Sequence, residues 1–183
     1  MGTRNLIAIV KNGVVKLAQY AQWDGYPTGE GQGNKIRKFL IKTNLEEFSQ
    51  KADTLSWASE DYIDDQMSMN GLVSGLMTYQ ESQKFNALFP EWGRDIGSDI
   101  LQLIMDRSNL KVVDCSEFIQ DKTSCEWAYV IDMDSHTLSI FKSGSKIPNK
   151  YFDGGIGLYK EISFESLPDN DDDWNTLFEK EGD

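Results

Sequence analysis

The sequence predicts an α+β fold, an antiparallel β-sheet formed by N- and C-terminal strands with several helices packed against it. Three observations point there. Short β-branched runs gather near both ends, the middle carries apolar residues at helical spacing behind capping signals, and the order is strands, helices, strands rather than strict alternation.

"NLIAIVKNGVVKLAQYA" contains two runs, Leu6 to Val10 and Val14 to Tyr20, joined through Asn12-Gly13. Asn-Gly tolerates the left-handed backbone of a tight hairpin turn, so a β-hairpin is predicted. A glycine-rich loop follows, then "NKIRKFLIKT", in which Ile36, Phe39 and Leu40 share one helical face. In "NLEEFSQKADTL", Asn44 with Glu47 three residues later is the capping-box arrangement of a helix start. Residues 58–77 mix acids, methionines and glycines without a clean period and read as connection plus short elements. "TYQESQKFNALFP" opens on a second capping box, Thr78 with Glu81, and stops before Pro90. "RDIGSDILQLIMDRSN" sets Ile96, Ile100, Leu103 and Ile104 on one stripe, a further amphipathic helix. "LKVVDC", "CEWAYVID", "HTLSIFKSG" and "IGLYKEISF" return to strand character, with "MDS" as a turn between two of them.

At 183 residues the chain fits a single α+β domain over 1–165. Residues 166–183 then form either a solvated acidic tail or, with Trp174, Leu177 and Phe178 at helical spacing, a short docking helix. No run approaches the roughly 20 apolar residues of a membrane span, and the first residues lack the regions of a secretory signal. A cytoplasmic protein that does not engage membranes is expected, with Cys115 and Cys125 as free thiols. The net charge of -12 opposes direct binding to DNA or RNA, because such binders neutralise phosphates with Lys and Arg.

"AQYAQWDGYPTGEGQG", residues 18–33, is the most site-like stretch. Gln22, Trp23, Asp24 and Tyr26 place amide, indole, carboxylate and phenol groups around one turn, a mixture suited to a small ligand or a peptide. The same residues also suit a structural cap over a sheet end. A phosphate loop is disfavoured, since no Gly-Lys-Ser/Thr follows and Glu30 would repel the anion. Arg4, Asp24 and Asp132 are candidates for an ion-pair cluster near the N-terminus.

The blocks "GTRNL", "QYAQWDGYPTGEG" and "EWAYVIDMDSHTLSIFKSG" together resemble a widespread family of uncharacterised proteins from bacteria, phages and fungi that begin with Gly-Thr-Arg and carry a "QYGQWDGYP" block. The resemblance covers both ends of the chain and implies no particular reaction. Ala21 stands where that block has glycine, so its backbone need not be left-handed. The strand-turn-strand opening also looks like that of N-terminal-nucleophile hydrolases, but Gly2 carries no nucleophile and Thr3 would need a second cleavage.

No complete catalytic constellation can be assembled. His136 is the only histidine, which excludes a histidine-based triad, and no metal or cofactor is expected: Asp132 and Asp134 lack the rest of a Ca²⁺ loop and suit a hairpin turn. Residues 161–183 carry nine carboxylates against Lys180 alone, two thirds of the net charge. The leading expectation is therefore an acidic, non-catalytic binding protein or inhibitor that occupies a basic surface of a nucleic-acid-processing effector. By type, though not by motif, phage counter-defence proteins such as anti-CRISPR proteins are of this kind. Glu165, Asp169, Asp171, Asp172, Asp173, Trp174, Glu179 and Glu181 are the expected partner-binding residues. The alternative is a small-ligand binder or hydrolase with its site at Arg4, Gln22, Trp23, Asp24 and Tyr26.

Overall fold

The computed structural model describes residues 2–179. The predicted hairpin is β1 (Asn5–Lys11) and β2 (Val14–Ala21), and its turn has Asn12 and Gly13 at φ 54° and 68°, the doubly left-handed geometry that matches strand twist. The Asp134 carboxylate accepts both turn amides, Asn12 N at 2.7 Å and Gly13 N at 2.8 Å. Strands β5 (Trp127–Asp132), β6 (Thr137–Lys142) and β7 (Gly157–Ser163) complete a five-stranded sheet in the order β2-β1-β5-β6-β7.

That sheet is mixed, which corrects the antiparallel expectation. β5 runs parallel to β1, with Asn5 beside Trp127 and Val10 beside Asp132, while the other pairings are antiparallel. The reason is topological: the chain leaves β2 next to the start of β1, crosses through the helices and re-enters the sheet at that same end. A second correction concerns "LKVVDC". Only Lys111–Val112 (β4) is extended, and it pairs outside the main sheet with Ser56–Trp57 (β3).

Helices α1 (Gln32–Lys42), α2 (Leu45–Asp53) and α5 (Asp99–Asp106) cover one sheet face. Ile36 and Leu40, Phe48, and Ile100 with Ile104 pack there on Ile7, Ile9, Tyr129, Ile131 and Ile140. Asn44 caps α2 by accepting from Glu47 N at 3.0 Å. Leu6, Ala8, Val130 and Phe141 face the opposite way, under Ile119 of the 3-10 helix Ser116–Gln120 and under Cys125 and Ile156 from irregular segments. α4 (Tyr79–Leu88) begins with the full reciprocal Thr78–Glu81 capping box. Residues 58–77 hold more order than expected: α3 (Glu60–Met69) starts on Ser59, whose hydroxyl accepts from Tyr62 N.

The C-terminal segment carries a short helix. α6 (Asp171–Thr176) places Trp174 fully inside the main core, with Leu167 buried beside it, so this segment is continuous with the domain. Arg37 on α1, itself 1% exposed, clamps it by donating to Pro168 O and Asp171 and by lying 5.8 Å over the Trp174 ring. Trp174→Ala should therefore lower global stability by about 3–5 kcal/mol, as expected for a truncated core aromatic. Denaturant midpoints measure this; a solvated tail would give no change.

Candidate functional site

The end of the sheet where β1 and β5 begin and β2 and β6 finish gathers the loop, the N-terminal residues and the C-terminal helix. Backbone without regular structure must find partners for its carbonyls when it is covered. Here the carbonyls of Trp23, Gly25, Pro27 and Gly29 have side-chain partners. Asn5 Nδ2 donates to Ala21 O and Trp23 O, Gln32 Nε2 to Trp23 O at 3.2 Å, and the buried Tyr129 hydroxyl to Gly25 O at 2.6 Å. Trp174 Nε1 donates to Pro27 O and Asn34 Nδ2 to Gly29 O, each at 2.8 Å. Gly33 permits the Tyr129 approach, since a Cβ there would lie 2.8 Å from the Tyr129 ring. Burial pushes the Tyr129 phenol well above its usual pKa, so it remains a hydrogen-bond donor.

The predicted site residues separate around this scaffold. Asp24 is exposed at the apex with φ 54°, and its carbonyl accepts from Gln32 N at 2.7 Å. Gln22 and Trp23 turn to one side, where Gln22 N donates to Arg94 O and Trp23 Nε1 to Asp95 at 2.8 Å. Tyr26 lies on the other side, 38% exposed. Arg4 does not join Asp24 or Asp132. Its field acts on Tyr20, Asp121 and Cys125, and the β1–β5 register puts Asp132 about 20 Å farther along the sheet. Asp132 accepts Asp134 N, Ser135 N and the Tyr151 hydroxyl, so it caps the β5–β6 turn. Thr3 anchors the loop, its carbonyl accepting from Gly25 N at 2.9 Å.

The acidic residues are also divided. Asp171 is paired with Lys38 at 2.9 Å and with Arg37, and those cations, Lys38 foremost, hold its carboxyl below the usual range. Glu165, Asp169, Asp172 and Asp173 are exposed, Asp173 accepting from Asn170 Nδ2. Trp174 is core rather than surface, which corrects its place among partner-binding residues. Glu179 is exposed, and Glu181 lies outside the described residues.

Two clefts flank the loop. The first, about 570 Å³, runs between Tyr26 and Gly29 of the loop, Trp127 of β5, Lys142 of β6, Tyr159 of β7 and Phe178 beyond α6. The second, about 500 Å³, lies under Leu76, Met77, Phe85, Trp92, Arg94 and Asp95. It joins the loop to a lobe made of α3, α4 and the 3-10 turn Pro90–Trp92, held by a small core of Met67, Leu72 and Phe89. In this lobe α4 has no buried residue, and Met69, Val73, Leu76, Tyr79 and Leu88 are exposed, Leu76 completely. Glu60, Asp61, Asp64 and Asp65 are exposed on α3. This surface is hard to see in the sequence because residues 58–77 have no clean period; Ser59 followed by Glu60 and Asp61 is the local helix-start signal there.

The thiols are poorly placed for nucleophilic chemistry. Burial raises Cys115 and pushes Cys125 up to about 12, so neither is a thiolate near neutrality. Among the described residues no three of His, Cys, Asp and Glu converge as a metal-ligand set. Comparison with known proteins found no matching family model, no matching curated protein and no matching solved structure.

Two outcomes follow from this geometry. Tyr129→Phe leaves the covered Gly25 carbonyl without its donor and should cost about 1–3 kcal/mol in chemical denaturation. Glu91, buried in the lobe with Oε2 unpartnered among the described residues, has its pKa raised by desolvation. The native state then keeps a proton that the unfolded chain releases above about pH 4.3, so stability falls as pH rises through that value toward the raised one. Glu91→Gln should stabilise the protein at pH 7 and lose that advantage below about pH 4, as read from thermal midpoints across pH.

Proposed function

We propose that this chain is a non-catalytic binding protein of inhibitor type that seats its α3–α4 lobe on a basic surface of a protein partner, the kind of surface a nucleic-acid-processing effector presents. One observation carries the reading: α4 has no fully buried residue and packs on the small core through Phe85, while Met69, Val73, Leu76, Tyr79 and Leu88 stand in water in the same lobe as the exposed carboxylates of α3. A ten-residue helix is too short to be stable in water alone, and several large apolar side chains exposed in one lobe together with carboxylates suit an interaction site. Besides the buried Glu91, the lobe carries Glu60, Asp61, Asp64, Asp65 and Glu81 against Lys84, so its complement is cationic.

The remaining charge supports recruitment rather than contact. Asp169, Asp172 and Asp173 are held on an ordered segment, and with the net charge of -12 they favour approach of a basic partner. Asp171 is already neutralised by Arg37 and Lys38 and contributes least.

Affinity capture from host lysate, with cross-links mapped by mass spectrometry, tests the reading against a Val73→Ser/Leu76→Ser variant. Both positions are exposed, so folding should be unaffected within about 0.5 kcal/mol. The expected result is a basic protein cross-linked to the lobe, recovered about tenfold less by the variant and lost as salt screens the attraction. Recovery that ignores both the variant and salt contradicts it, and so does sedimentation showing that the lobe instead pairs two copies of this chain.

A further inference from the structure

The cleft on the Tyr26 side of the loop is built by an irregularity in the sheet. In the β6–β7 pairing Ile140 faces Lys160 and Phe141 faces Leu158, so Tyr159 is an extra, bulged residue. Regular alternation would send Tyr159 and Lys160 to opposite faces. With the bulge, Tyr159 packs edge-on to Trp127 at 5.7 Å and lies nearly parallel to Phe178 at 6.2 Å, while Lys160 also reaches the Phe178 ring. Leu158 meanwhile packs into the opposite core. Bulges that re-aim one side chain are frequent beside binding sites. Here the re-aimed ring closes a corner of two perpendicular aromatics, about 40% exposed at Tyr159 and facing Tyr26 and Pro27 across the cleft.

The polar atoms of this cleft are mostly donors. Tyr26 Oη, Trp127 Nε1, Tyr159 Oη and Asn175 Nδ2 have no hydrogen-bond partner among the described residues, and Lys142 Nζ rests 5.1 and 5.3 Å over the Trp127 and Tyr159 rings. Glu179 is the acidic group of the lining. Its complement is therefore a chain that offers flat apolar rings and carbonyl acceptors but few donors. A proline-rich segment in the polyproline II conformation has this character: its pyrrolidine rings fit between aromatic side chains, its carbonyls are free, and its preformed shape loses little entropy on docking. Nucleoside phosphates would also engage aromatic faces and Lys142, but the field of a protein of net charge -12 opposes them.

We propose that this aromatic cleft binds a proline-rich peptide segment with a basic flank, the flank lying toward Glu179 and the α6 carboxylates. The site uses the other half of the loop from the α3–α4 lobe and stands whether or not the lobe docks on a partner.

The probe is acetylated, amidated decaproline with Arg at both ends, titrated into the isotopically labelled protein and followed through the indole N–H signals. The expected result is a Kd in the range of about 10–500 μM, with the Trp127 indole shifting most. Decaproline flanked by Glu should bind several-fold more weakly at low salt. Tyr159→Ala should weaken binding at least about tenfold; Tyr26→Ala on the opposite bank serves the same purpose if the first variant is unfolded. No shift with the Arg-flanked peptide at about 1 mM, equal affinity in the variant, or binding of adenosine monophosphate in place of the peptide would each overturn the proposal.

Discussion

The organisation of this protein depends on one constraint: in the irregular backbone of residues 22–31 the carbonyls of Trp23, Gly25, Pro27 and Gly29 are satisfied by side chains from other elements. Asn5 comes from β1, Gln32 and Asn34 from α1, Tyr129 from β5 and Trp174 from α6. Each donor is buried; the bonds from Asn5, Tyr129 and Trp174 join the loop to parts of the chain distant in sequence, and those from Gln32 and Asn34 tie it to the start of α1. An unsatisfied carbonyl in such a place costs about as much as a single hydrogen bond contributes several times over, so the loop and its neighbours stand or fall together.

This tethering gives the loop a role that its composition does not announce. Gly25, Pro27 and Gly33 lie inside, while Tyr26 lines the first cleft and Trp23 donates to Asp95, a residue that lines the second. The first half of the loop is braced against Arg94 and Asp95 at the base of the α3–α4 lobe. The second half faces the aromatic corner of Trp127, Tyr159 and Phe178. The buried Arg37 extends the same logic to the C-terminus, where it holds Pro168 and Asp171 and covers the Trp174 ring. An acidic segment that would repel itself in solution is thereby fixed as a surface.

The local chemistry was legible in the sequence, and the long-range geometry was not. Asn12-Gly13, Asn44 and the Thr78–Glu81 box signal their turn and helix starts through bonds within four residues, and all appear where expected. The helices-on-sheet architecture follows from the same patterns. The parallel β1–β5 pairing depends on which end of the sheet the chain re-enters, a question no local pattern answers. The "QWDGYP" block stands out in the sequence by its composition, whereas its buried partners Asn5, Gln32 and Tyr129 read as ordinary strand and helix residues. Tyr159 was illegible for a further reason: its direction is set by a register shift, and periodicity assigns it to the wrong face. Trp174 was read with the surface because its neighbours are acidic, although a lone aromatic among carboxylates can equally mark the point where such a segment enters the core.

Native-state hydrogen exchange at the loop amides tests the central claim most directly. Gly25, Gly31, Gln32 and Gly33 donate to Thr3, Thr28, Asp24 and Tyr26 carbonyls inside the tethered region. If the tethers hold the loop as part of the core, these amides exchange only through global unfolding, with the same opening free energy as Ile7 and Val130 in the central strands. Exchange of the loop amides through a separate, low-energy opening while β1 and β5 remain protected would contradict the account.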